Sequence, residues 1–104
     1  MKLNIVYITT KNKKEARKIG KALIEEKLAA CVNTIDGMNS MYFWEGKLQD
    51  DQEAVLIAKT KEKLVADLTK RVKALHSYSC PCIISLPILG GNEDFLAWIE
   101  AETK

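Results

Sequence analysis

The one histidine of this chain stands close to two of its three cysteines, in Leu75-His76-Ser77-Tyr78-Ser79-Cys80-Pro81-Cys82. An imidazole and two thiolates suit a soft or borderline cation such as Cu(I) or Zn(II). On an extended segment the spacing of Cys80 and Cys82 puts both thiols on one side. A closed site would need a further ligand from elsewhere, a second subunit included. The competing reading is structural: a helix C-terminus favours histidine through its dipole, and a free cysteine is most often a small buried side chain. Cys80-Pro81-Cys82 lacks the two-residue spacer and helix start that activate a redox pair, and Cys31 reads as a buried residue.

Two other groups could bind. Lys59 and Thr60 close an apolar run, Ala54 to Ala58, and a charge at the end of a buried strand needs a partner. Thr60 also reads as the cap of the helix that follows. Tyr42, Trp44 and Tyr78 could form an aromatic cage, although packing across an interface is the commoner use of such residues. Catalysis has little to stand on. No nucleophile with a base and orienter can be placed in the chain, which has no phosphate-cradling glycine loop and no close carboxylate pair outside surface helices.

Elements that would carry these residues follow from periodicity. Leu3 to Thr10 is apolar on both alternating faces and predicts a central strand. Asn12, with Glu15 three residues on, signals a helix start, and Ala16, Ile19, Leu23, Ile24 and Leu28 form its stripe. Ala29 opens a long second strand, interrupted at Asp36-Gly37 and ending at Trp44. Trp44-Glu45-Gly46-Lys47 is a turn, and the chain returns through Ala54 to Ala58. A second helix carries Leu64, Val65, Leu68, Val72 and Leu75, and must end before Pro81. Cys82 to Leu86 is a fourth strand. Asn92 caps a short last helix with Phe95, Leu96, Trp98 and Ile99 on one face.

The result is α+β: a βαββαβ sandwich with a long hairpin and a short C-terminal helix, one domain over residues 1–104. Both main helices fall on one sheet face. The first and third strands are apolar on both faces, so the other face needs the last helix, a second subunit, or both.

Sixteen Lys and Arg against fourteen Asp and Glu leave a net charge of +2, too even to call for nucleic acid or an anionic membrane. The arginines, Arg17 and Arg71, lie mid-helix on polar faces, away from any loop that could clamp an anion. No run is long enough to span a bilayer, and an odd cysteine count argues against a secreted disulfide framework. A cytoplasmic protein with reduced thiols is expected.

Several phrases then line up in order with one family. Leu28-Ala29-Ala30-Cys31-Val32-Asn33, the hairpin Ser40 to Lys47, Lys59-Thr60, His76-Ser77-Tyr78 with Pro81, and Asn92 to Ile99 resemble the conserved blocks of the divalent-cation tolerance (CutA) family. The resemblance implies a ferredoxin-like subunit in a homotrimer whose hairpins extend the neighbours' sheets. It implies a part in divalent metal tolerance, with copper or another divalent cation bound, no obligatory cofactor and no enzymatic reaction. His76, Cys80 and Cys82 are then the metal candidates, and Asn33, Tyr42, Trp44, Lys59, Thr60 and Tyr78 the residues of the inter-subunit cleft. A similar trimer in the PII signalling proteins suggests an alternative, a regulatory trimer taking a small ligand or partner protein in those clefts. Ser77 departs from the family's usual proline, Cys82 from its acidic residue or alanine, and Phe95 from its tyrosine. Ile8 and Leu75 stand where some members place copper ligands, so only His76 of that set is kept.

Overall fold

The computed structural model describes residues 1–104. Strand β1 is Leu3–Thr10, helix α1 Lys13–Glu25, β2 Cys31–Trp44 and β3 Lys47–Lys61. A 3-10 turn, Glu62–Leu64, leads into α2 Val65–Leu75, followed by β4 Ile83–Pro87 and α3 Glu93–Glu102. The strands form one antiparallel sheet in the order β2-β3-β1-β4.

Register sorts the side chains. Val6 pairs with Ala58, Ile8 with Leu56 and Thr10 with Ala54, and this face meets Ala16, Ile19 and Leu23 of α1 and Leu68 and Val72 of α2 in a single core. Asn12 caps α1 by accepting from the Glu15 N–H at 2.8 Å, as its position predicts. The helix ends at Glu25, three residues before the expected Leu28. Lys27 turns left-handed at a φ of 60°, and the Leu28 N–H returns to Leu23 O at 2.9 Å.

Gly20 lets α1 lie close on the sheet. A Cβ there would sit 3.0 Å from Val32 Cγ2 and 3.1 Å from Leu56 Cδ1. Gly20→Val is therefore expected to cost about 2 kcal/mol by overpacking, read from the guanidinium unfolding midpoint. An unmoved midpoint would mean that β2 gives way freely.

The other sheet face carries Ile5, Tyr7, Ile35, Ile57, Ile84 and Leu86. Helix α3 covers only one end of it, where Lys61 Nζ donates to Thr103 O at 3.3 Å and Lys104 O at 3.2 Å. Ile99 is the one buried residue of α3, while Ile35, Ile84 and Leu86 stay about half exposed. The need for a second cover is thus met in part within the chain.

At Asp36-Gly37 the predicted interruption is a bulge: Ile35 pairs with Val55, but Met38 with Glu53. Gly37 sits at a φ of 74°, where a side chain would be strained. Beyond it β2 and β3 leave the body of the molecule as a two-stranded arm, and the long dimension reaches 44 Å. The arm closes on Glu45 and Gly46, at φ values of 52° and 78°, the paired left-handed residues of a tight two-residue hairpin.

Candidate functional site

Helix α2 stops at Leu75, and the chain turns through His76 into the loop that leads to β4. The imidazole is fully buried. Its Nε2 lies 2.8 Å from Thr9 O, and its Nδ1 accepts the Tyr78 N–H at 3.1 Å. This pattern puts the proton on Nε2 and leaves neither nitrogen free. Glu15, also buried, stands 4.0 Å from Nδ1 and accepts from the N–H groups of Lys11 at 3.0 Å and Ser77 at 2.9 Å. Burial pushes the Glu15 carboxyl up, but hydrogen bonds from Ser77 and Lys11 and the nearby imidazole outweigh it and hold the group below its ordinary value.

His76 therefore ties together the end of β1, the start of α1 and the loop. It does not join Cys80 and Cys82 in a metal centre. No group of three His, Cys, Asp or Glu side chains in the chain is disposed to hold an ion.

The loop instead walls a cavity of about 420 Å³ against the root of the arm. Thr9, Tyr42, Trp44, Asp51 and Glu53 line it from the sheet, and Tyr78 to Cys80 with Cys82 from the loop. Alternation along β3 places Asp51 and Glu53 on one face, and the bulge turns Tyr42 and Trp44 toward them. Tyr42 donates to Asp51 and Tyr78 to Glu53, both at 2.8 Å, and the Tyr78 ring packs on His76 at 4.8 Å between centroids.

The electrostatics of this cavity are one-sided: two carboxylates line it and no Lys or Arg does. Burial, then the bond to Glu53 and its charge, push the Tyr78 phenol far up. The bond to Asp51 raises Tyr42. Burial raises the Cys82 thiol, as does the Glu53 charge, against a hydrogen bond with Thr9 that lowers it. Cys82 is half-buried, whereas Cys80 is exposed. A site lined by carboxylates and thiols, with no cation of its own, suits a positively charged guest.

The other expected cleft residues lie elsewhere. Lys59 Nζ donates to Asn33 Oδ1 at 2.5 Å, approaches Cys31 Sγ at 3.6 Å and lies 5.9 Å from the Phe95 ring centre. Six residues of strand separate Lys59 from Glu53, about 20 Å. Thr60 is not a helix cap. It is still in β3, fully buried, with its hydroxyl donating to Leu28 O at 2.6 Å, and α2 starts from the 3-10 turn without a side-chain cap. Asp51, Glu53 and Glu15 were not anticipated as site residues. The run Asp50-Asp51-Gln52-Glu53 was the available signal, because in a strand it sends two acidic groups to the same side.

With this geometry in place, similarity to known proteins is informative. The family model for the CutA1 divalent ion tolerance protein matches residues 4–102. A rice protein described as chloroplastic CutA 1 is 48% identical over 100 residues, 96% of this chain and 56% of its own length. The chain spans little more than half of it. The divalent-cation tolerance protein CutA of Thermus thermophilus is 46% identical over 99 residues, covering 95% of this chain and 96% of the relative. Among solved structures, rice CutA1 superposes with a TM-score of 0.97 at 46% identity, covering 100% of this chain and 95% of the other. The protein from Archaeoglobus fulgidus, described as a periplasmic divalent cation tolerance protein, gives 0.95 at 42% identity, covering 98% and 99%. No helix here is long and apolar enough to cross a membrane.

Proposed function

The chain belongs to the CutA1 divalent ion tolerance family, and from that premise we propose that it is a non-enzymatic homotrimer of ferredoxin-like subunits that takes up copper or another divalent cation at the root of its arm. The observation that carries this reading is the cavity that Asp51, Glu53, Cys80 and Cys82 line without a Lys or Arg, although within one chain no three of them stand close enough to hold an ion. One chain offers too few ligands to close the site, and a neighbouring subunit supplies the remainder.

Assembly has its own support. A two-stranded hairpin is at best marginal in water, yet this one holds Phe43 at 74% exposed, Met41 at 65%, Leu48 at 63% and Trp44 at 49%. Apolar surface on both faces of the arm, with the half-exposed sheet face behind it, marks protein contact. Cys31, Cys80 and Cys82 are all unpaired, which fits a reducing, cytoplasmic setting.

Isothermal titration of the intact protein with Cu(I), Cu(II) and Zn(II) tests the site. Saturable binding is expected to be lost in Cys82→Ser and weakened in Glu53→Gln. Since the folded protein holds the Cys82 proton more tightly than a free thiol does, a soft metal must displace it. Affinity should therefore rise with pH, by roughly tenfold per unit for each proton released. Absence of saturable binding, or binding indifferent to both substitutions, would overturn the reading.

A further inference from the structure

Helix α1 carries a charge pattern that its own fold does not explain. Lys13, Lys14, Arg17 and Lys18 are exposed, and none lies within 4.0 Å of a carboxylate; Lys21 alone pairs, with Glu25 at 2.9 Å. The first turn of a helix favours acidic residues, because the dipole is positive there. Here the only acidic residue of that turn, Glu15, is buried and committed to Lys11 and Ser77. Like charges three and four residues apart further oppose the helix.

These five basic residues form one wall of an open groove of about 720 Å³, whose floor is Val32, Asn33 and Thr34 at the start of the β2 edge. That volume is the size of a small-ligand site. Lys14, Arg17, Lys18 and Lys21 follow one another over about 10 Å of helix, a span that a short chain of phosphates bridges. Arg17, which the sequence placed on a plain polar face, lines the groove and can present its planar fork, whereas Arg71 spends its own on Glu26 at 2.9 and 3.0 Å. Val32 is the only apolar side chain lining the groove, and there is no aromatic ring on which a base could stack.

We propose that this groove binds a compact, multiply phosphorylated anion by its phosphate chain, with Arg17 as the bidentate anchor and Lys14, Lys18 and Lys21 as flanking charges. The groove shares no residue with the acidic cavity, so this proposal stands or falls apart from the metal reading.

Calorimetry of the intact protein at low salt, with inorganic tripolyphosphate and with ATP, is the test. One saturable event per chain is expected, with the same affinity for both ligands to within a few-fold. Arg17→Gln combined with Lys18→Gln should weaken it by roughly tenfold or more, as loss of charge-assisted bonds implies. Lys63→Gln with Lys70→Gln, which removes as much charge at and just before α2, should leave it unchanged. Circular dichroism would show both variants folded. Four outcomes would overturn the proposal: no saturable binding at millimolar ligand, equal losses in the two double variants, ATP tighter than tripolyphosphate by more than about tenfold, which would mean base contacts, or affinity for polyuridylate that climbs with its length.

Discussion

His76→Ala is expected to lower folding stability by roughly 3 kcal/mol while leaving metal binding in place. The imidazole is fully buried and makes two hydrogen bonds, to Thr9 O and from the Tyr78 N–H. Its removal strands both backbone groups and opens a cavity under the Tyr78 ring. Stability should also become less sensitive to acid. Folded Glu15 gives up its proton more readily than an unfolded glutamate, so its contribution is complete above the ordinary carboxylate value and is lost as pH falls through the lower folded value. Without the imidazole that folded value moves up toward the ordinary one, so the contribution is smaller and its loss is complete at a higher pH. Guanidinium unfolding from pH 3 to 8, beside a Cu(I) titration, makes the measurement. Wild-type stability with abolished binding would instead make His76 a ligand.

Phe43→Glu together with Leu48→Glu is expected to turn a trimer into a folded monomer. The two residues face each other across the arm, more than 60% exposed in the single chain. Buried between subunits, two unpaired carboxylates would cost several kcal/mol per chain. None of the twelve residues of the core belongs to the arm, so the monomer should keep its helices and sheet. Light scattering after size exclusion should give three times 11.7 kDa for the wild type and one for the variant. Trp44→Ala should weaken assembly by a smaller amount, up to about 3–5 kcal/mol if the ring is fully buried. A wild-type monomer, or a variant that still assembles, would refute the role given to the arm.

The sequence carried most of the scaffold because its signals are local. Leu3–Thr10 was legible to the residue from unbroken apolar β-branched character, and the arm from the turn at Glu45-Gly46 and the break at Asp36-Gly37. Boundaries set by backbone geometry were less so: Lys27 in a left-handed conformation shortened α1, although nothing in its side chain announces that. The site was legible only in part. Tyr42, Trp44, Tyr78, Cys80 and Cys82 do meet, but His76 is set apart by a carbonyl 67 positions away, which periodicity does not reveal. Glu53 escaped for the same reason, since its partner Tyr78 lies 25 positions on and across two elements. Thr60 looked like a cap because threonine before a helix usually is one, and here the strand outlasted it.

The bulge at Asp36-Gly37 acts as a phase inverter. Between Ile35 and Met38 one strand advances three positions while its partner advances two, so odd residues before it and even residues after it share a side. Straightening the strand there, with every residue kept, would leave the composition untouched. It would exchange the roles of neighbouring side chains along the whole second half of β2, sending Met41 and Phe43 toward the acidic cavity and Tyr42 and Trp44 to the far side. One backbone position at φ 74° thus decides which half of the aromatic sequence is for the guest and which is for the neighbour.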